Sequence, residues 1–176
     1  MRRSSLSGVG SGMIRTMQLL LMRHANAETG EGLPDHERPL TEQGGRDAAA
    51  MGRWLRDNAA APEAVWCSSA LRARQTWSAA AAALTGPPEP SYLRSVYQAG
   101  PGDLLDLLRD VPATVESVLI VGHNPTLQQA LAALTGEPPQ SFPSGALALL
   151  ELAGTWSAPG AARLVALVRP GETGGP

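Results

Sequence analysis

Gln18-Leu-Leu-Leu-Met-Arg-His-Ala-Asn-Ala27 decides the fold: a short apolar run stops abruptly at an arginine and a histidine. A run of this length fits a fully buried strand or part of a buried helix, and periodicity does not separate the two. The residues that follow do, because positions 28–39 are rich in glycine, proline and acidic side chains. The run reads as a strand opening into a loop. In α/β proteins ligands bind in loops at the carboxyl ends of strands, so Arg23 and His24 are placed where chemistry is expected.

Two stretches repeat the pattern further along the chain. Cys67-Ser-Ser-Ala-Leu-Arg-Ala-Arg-Gln-Thr76 follows the short apolar segment Ala64 to Cys67, and Val118-Leu-Ile-Val-Gly-His-Asn-Pro125 carries a strand into a second histidine. Helices are expected between them. Thr41 reads as an N-cap with Glu42 in the first turn, and Ala48, Met51, Gly52 and Leu55 share one face. Gly44 and Gly45 each weaken that helix by about 1 kcal/mol relative to alanine, so packing has to hold it. A second helix runs from about Ala70 to Leu84 and stops at Gly86-Pro87-Pro88.

Ser91 to Val96 reads as a short strand. A helix starting at Asp103 carries Leu104, Leu107 and Leu108 and closes at Val111-Pro112. Ser117 to Val121 is a strand, after which Asn124 and Pro125 read as N-cap and first-turn residues. Leu127, Ala130, Leu131 and Leu134 form an amphipathic stripe ended by Gly136. Ala146 to Leu152 and Arg163 to Val168 close the chain as a hairpin. Strands alternating with helices predict a three-layer α/β/α sandwich whose mostly parallel central sheet has an antiparallel edge.

The chain has 176 residues and one cysteine, which suits a single domain and excludes an internal disulfide framework. Residues 17–169 are the expected domain, 1–16 an expected disordered extension without the apolar core of a secretory signal, and 170–176 a frayed tail. Met13 and Met17 are alternative starts. Formal net charge is -2 with no lysine or arginine run, so no nucleic-acid footprint is present. No apolar stretch reaches the roughly 18 residues of a spanning helix. The expectation is a soluble, cytoplasmic protein, and the sequence fixes no oligomeric state.

With the three motifs in order, the chain resembles the histidine phosphatase superfamily, also called phosphoglycerate mutase-like, and within it the SixA-type phosphohistidine phosphatase branch. The resemblance implies the phosphoglycerate mutase-like fold and a phosphohistidine intermediate on His24, the nucleophile. It places Arg23, Arg72 of the Leu-Arg-Ala-x-Gln-Thr motif and His123 of the Gly-His motif around the phosphate. Without it, Arg72 and Arg74 rank equally as solvated helix residues. Guanidinium groups suit the role because planar donors bind two phosphate oxygens while staying charged.

In the mutase-like branch the general acid is a glutamate shortly after the middle strand, but Val96 to Asp103 offers none. Asp35, before Arg38-Pro-Leu-Thr41, matches an acidic position of the SixA-like loop and is the first choice. Glu28 and Asp103 are alternatives. A phosphohistidine loses imidazole, which asks little of an acid, and the short loops leave a site open to a protein surface. The implied substrate is therefore a phosphorylated one, a phosphohistidine-bearing protein first, with a small-molecule phosphate as the alternative. Hydrolysis is favoured over mutase activity, because elements that retain an intermediate in true mutases are missing.

Rival chemistries leave testable marks. A cysteine phosphatase loop starting at Cys67 needs arginine at position 73, which is Ala73, and Cys67 reads better as a small core residue. A metallohydrolase using His24, Glu28, Asp35 and His36 lacks helix-borne ligand spacing. No metal or other cofactor is expected, and His36 reads as a solvated loop residue. A phosphate-sensing module without catalysis would keep the arginines and dispense with His24.

Overall fold

The structure is a computed structural model that describes residues 16–172. The expected N-terminal extension, apart from Thr16, and residues 173–176 of the expected tail lie outside the described residues. Residues 170–172 form a turn in which Glu172 N–H donates to the Arg169 carbonyl at 3.0 Å.

Strand β1, Met17–Arg23, runs through the middle of a six-stranded sheet. Its side chains alternate between two apolar layers. Leu19 and Leu21 enter one cluster with Leu104, Leu127 and Leu131, while Leu20 and Met22 enter the other with Met51, Leu55 and Trp77. That explains the unbroken apolar run, since a strand covered on both faces has no solvent side to mark with polar residues.

The remaining elements are α1 (Glu42–Asp57), β2 (Ala64–Ser68), α2 (Leu71–Ala81), β3 (Pro90–Leu93), α3 (Arg94–Gln98), α4 (Pro101–Leu107), β4 (Ser117–Gly122), α5 (Thr126–Thr135), β5 (Leu147–Thr155) and β6 (Ala158–Val168), with one-turn 3-10 helices at Asp35–Glu37 and Leu108–Asp110. The strand order is β3-β2-β4-β1-β5-β6. The first four strands of the chain are mutually parallel where they pair, and β5 and β6 are antiparallel. Helices α1 and α2 cover one face, and α4 and α5 the other. The three-layer sandwich with an antiparallel edge is the architecture the sequence predicts.

Several boundaries differ. The strand expected over Ser91 to Val96 ends at Leu93, and Val96 anchors α3 by burying its side chain in the core. Helix α4 begins at Pro101, before Asp103, whose carboxylate accepts the Gly100 N–H at 2.9 Å. Asn124 does not cap α5: Pro125 takes that place, and the Asn124 amide donates instead to the Phe142 carbonyl at 2.8 Å. The hairpin strands are longer than expected, turning at Trp156 and Ser157. Irregularities in their register blunt the outer edge of the sheet.

Packing supports α1 as its glycines require. Thr41 caps it by accepting the Gly44 N–H at 2.9 Å. A Cβ at Gly44 would meet the Asn26 carbonyl oxygen at 2.1 Å, and one at Gly52 would meet that of Ala80 at the same distance. Two of the glycines that weaken the isolated helix are what let it approach the β1 loop and α2. A Cβ at Gly45 would meet nothing within 4 Å, so this glycine remains a cost without a packing return.

Candidate active site

Sheet register assembles the site. Arg23 lies opposite Gly122, and Cys67 opposite Val121, so the first residues past β1, β4 and β2 emerge side by side at one edge. The His24 N–H donates to the Gly122 carbonyl at 3.0 Å, which aligns His24 with His123. Their ring centroids are 5.1 Å apart. Arg23, His24, Asp35, Arg72 and His123 all line a single cavity of about 530 Å³.

His24 is nearly buried. Its Nδ1 lies 2.8 Å from the carbonyl of Ala25 and can only donate to it, so the proton is assigned to Nδ1. Nε2 is left with its lone pair, 3.4 Å from the Nε–H of Arg72. Burial pushes the pKa of His24 down to about 4; the Ala25 hydrogen bond opposes this, and the positive fields of Arg72, Arg23 and Arg38 reinforce it. The imidazole is neutral at ordinary pH, as a nucleophilic ring nitrogen must be.

His123 carries the opposite tautomer. Arg72 Nη2, a donor only, sits 3.4 Å from its Nδ1, so Nε2 holds the proton and donates to Ser68 Oγ at 2.7 Å. Burial, the neighbouring His24 and Arg72 lower its pKa to about 3. His123 is therefore a neutral ring whose Nδ1 accepts from Arg72, and it adds no third cation to Arg23 and Arg72.

Arg72, 5% exposed, is the hub. Besides its contacts with both imidazoles, Nη1 donates to the Asp35 carbonyl at 2.6 Å and Nη2 to Asp35 Oδ2 at 3.0 Å. Thr76 steadies the helix turn beneath it, its Oγ1 donating to the Arg72 carbonyl at 2.7 Å and accepting the Ala25 N–H at 3.0 Å. Arg74, two residues on, points away and sits 4.9 Å over the exposed Tyr92 ring. Helix phase separates two arginines the sequence alone ranks equally. Arg23 donates through Nη1 to the Phe142 carbonyl at 3.1 Å, while its buried Nε has no hydrogen-bond partner among the described residues.

Asp35 reaches the cavity from the 3-10 turn. Desolvation would raise its pKa, but hydrogen bonds from Arg72 and Tyr97 and the charges of Arg72 and Arg38 outweigh it, so the carboxyl lies below its usual range. The Tyr97 hydroxyl donates to Oδ2 at 3.0 Å. The other two candidate acids are elsewhere. Asp103 caps α4, and Glu28 is outside the cavity lining, its backbone tied to Pro39 and Arg38.

Four side chains around the site were not singled out from the sequence. Ser68 and Thr76 fix neighbours by hydrogen bonds, Tyr97 lines the cavity mouth, and Gln75 accepts the Leu40 N–H at 2.7 Å to hold the 28–40 loop. Ser68 obeys the same rule as His24 and His123, a polar residue where a buried strand ends. Tyr97 offered no such signal. His36, expected to be merely solvated, is exposed but bonded through Nε2 to Ser69 Oγ at 2.9 Å.

Among the described residues, no group of three or more His, Cys, Asp or Glu side chains is arranged to hold a metal ion, and no helix is long and apolar enough to cross a membrane. Cys67 is buried in the core beneath the site, where desolvation pushes its thiol up to about 12. It stays protonated and unreactive.

The family model described as histidine phosphatase superfamily (branch 1) matches residues 19–92. An uncharacterized protein of Mycobacterium tuberculosis (strain ATCC 25618 / H37Rv) is 40% identical over 157 residues, covering 82% of this chain and 96% of that protein. Phosphohistidine phosphatase SixA of Escherichia coli (strain K12) is 31% identical over 139 residues, covering 77% of this chain and 86% of its own. Among solved structures, the protein histidine phosphatase SixA complexed with tungstate matches with a TM-score of 0.77 at 29% identity, covering 88% of this chain and 97% of that one.

Proposed function

We infer the reaction from one premise: the chain belongs to the histidine phosphatase superfamily, with the phosphoglycerate mutase-like fold of its SixA-type branch, and is a phosphatase. We propose that its substrate is a phosphohistidine borne on a protein, and that His24 carries the phosphoryl group between substrate and water. The observation that carries this reading is the fixed tautomer of His24, which leaves Nε2 unprotonated beside Arg72.

In the first step the Nε2 lone pair attacks phosphorus and the bond from phosphorus to the substrate nitrogen breaks. Its electron pair returns to the leaving imidazole. When the other nitrogen of that ring already carries a proton, neutral imidazole departs and no enzymic acid is required. Arg23 and Arg72 hold the phosphoryl oxygens, stabilising charge that spreads over them in the transition state, and His123 braces the Arg72 guanidinium by accepting from its Nη2 through Nδ1. The phosphoryl group competes with Asp35 for the Nη2 of Arg72.

In the second step water attacks, the bond from phosphorus to Nε2 breaks, and its electron pair restores the neutral imidazole. Phosphate leaves, and Asp35 takes the proton released by water. An ionised Asp35 suits that role in the resting pocket. It serves as an acid only once protonated, which an alkyl leaving group needs far more than imidazole does. The arrangement thus favours phosphoramidate over alkyl phosphate.

A panel of a phosphohistidine protein, sugar phosphates and alkyl phosphates, run on the parent chain and on His24→Ala, tests the reading. The expected result is preference for the phosphohistidine protein, with all turnover lost in the variant. Preference for the small molecules would make this a small-molecule phosphatase of the same superfamily. Phosphate binding without turnover of any substrate would favour a sensing module.

A further inference from the structure

Four rings step from the buried interior of the site to solvent, the first three of them lining the cavity. His24 is buried, His123 is half-buried 5.1 Å from it, Tyr97 stands 5.5 Å from His123, and exposed His36 lies 5.0 Å beyond Tyr97. The last two contacts are edge-on, with interplanar angles of 78° and 86°. Tyr97 is thereby held between two imidazoles. Its position is fixed from three further directions: buried Val96 anchors α3, the Tyr97 hydroxyl donates to Asp35, and His36 is tied to Ser69.

Nothing in the reaction chemistry uses this ring, yet it lines the cavity. Apart from the two histidines, the other lining residues are arginines, Asp35, asparagines, Ser144 and Ala27. Tyr97 is the one lining side chain besides those imidazoles with an apolar face broad enough to meet another ring. It also stands on the outward side. An in-line displacement places the leaving group across phosphorus from His24 Nε2, and the ring order runs from His24 outward to Tyr97.

Resting on the phosphohistidine reading above, we propose that Tyr97, propped by His36, determines leaving-group specificity by packing against the imidazole that departs. Asp35, hydrogen-bonded to the same hydroxyl, narrows the choice among rings. An imidazole offers an N–H to the carboxylate, whereas a phenyl ester accumulates negative charge on its leaving oxygen and is repelled by it. Edge and offset contacts between aromatic rings are favourable, and an aliphatic leaving group cannot make them. His36 is a positioning residue in this scheme, acting through Tyr97.

Specificity constants on the full chain with a phosphohistidine peptide, an O-phosphoserine peptide and phenyl phosphate test the proposal. In the parent chain the phosphohistidine peptide is expected to lead both others. Tyr97→Leu, which keeps bulk and removes the ring, is expected to lower the ratio of phosphohistidine to phosphoserine turnover by about tenfold. Tyr97→Phe retains that ratio, and His36→Ala lowers it by a smaller factor. A Tyr97→Leu protein that keeps the parent ratio overturns the role of the ring alone. Phenyl phosphate turned over as well as the phosphohistidine peptide overturns the assignment to imidazole, and a parent chain that prefers phosphoserine overturns the reading beneath both.

Discussion

The ends of β1 and β4 are built alike and finish as opposites. Each strand is buried to its last residues, and a histidine follows each. The polar partner of each ring differs. His24 gives its Nδ1 proton to the adjacent backbone carbonyl of Ala25, so its Nε2 is the free atom. His123 gives its Nε2 proton to Ser68 across the sheet, which turns Nδ1 toward Arg72. Residue type is the same at both ends, and the second hydrogen bond assigns each ring its available atom.

Burial lowers both pKa values, so neither ring is a resting cation. Positive charge in the site belongs to the three lining guanidinium groups, Arg23, Arg38 and Arg72, set against the one carboxylate of Asp35. An anion is attracted by the arginines while His24 stays free to attack and His123 braces Arg72. On this account the two strand ends divide the labour: β1 supplies the nucleophile and β4 a hydrogen-bonding brace.

Removing each imidazole should break the comparison unequally. His24→Ala is expected to lower turnover by roughly 10⁴-fold or more and to abolish the phosphoenzyme. His123→Ala, which frees the Arg72 guanidinium from its brace, should cost about 10²-fold, the scale of misplacing a group that holds the substrate, and still form the phosphoenzyme slowly. Rapid-quench measurement of phosphoenzyme in both variants checks this. Equal losses of that species would mean the ends are not distinct.

Acid titration of stability sharpens the same contrast at the level of the fold. Below pH 6.5 the unfolded chain protonates His24, whereas the folded chain holds it neutral to about pH 4. The unfolded state binds more protons in that window, so stability falls as pH drops through it. The contribution of His24 alone is on the order of 3 kcal/mol. Denaturant midpoints at pH 7 and 4.5 should therefore converge in His24→Ala relative to the parent chain; an unchanged difference would show that the ring is not held neutral.

A smaller effect follows from loosening one tautomer. Ser68→Ala removes the acceptor of the His123 Nε2 proton without touching the β1 end. Turnover should drop about tenfold while the amount of trapped phosphoenzyme per turnover event is preserved. A loss as deep as that of His123→Ala would place Ser68 in the chemistry itself.

Sequence alone carried the fold far, because its central strands are buried on both faces and so interrupted by polar residues only where they end. Local signals were also sound at Thr41, whose cap is formed. They failed where tertiary contacts redirect a side chain. Asn124 has the residue type of an N-cap, yet its amide is drawn to the Phe142 carbonyl. The strand expected to reach Val96 is cut short because that side chain fills the core from a helix.

The site was legible in a different way. Strand ends indicated His24 and His123, but helix phase had to distinguish Arg72 from Arg74, and only the resemblance pointed to Asp35. Tyr97 was invisible because everything that brings it to the cavity is long-range: the buried Val96, the Asp35 carboxylate and the edges of two imidazoles. No spacing in the chain encodes such a meeting. Ser68 was within reach, since it ends β2 as the histidines follow β1 and β4.

The central claim concerns one atom, and the isomer of the trapped intermediate reports on it. Phosphoenzyme quenched in alkali, digested and analysed by phosphorus NMR and mass spectrometry should carry a single phosphoryl group on Nε2 of His24. A phosphoryl group on Nδ1, on His123, or on an acid-stable oxygen ester would contradict the assignment.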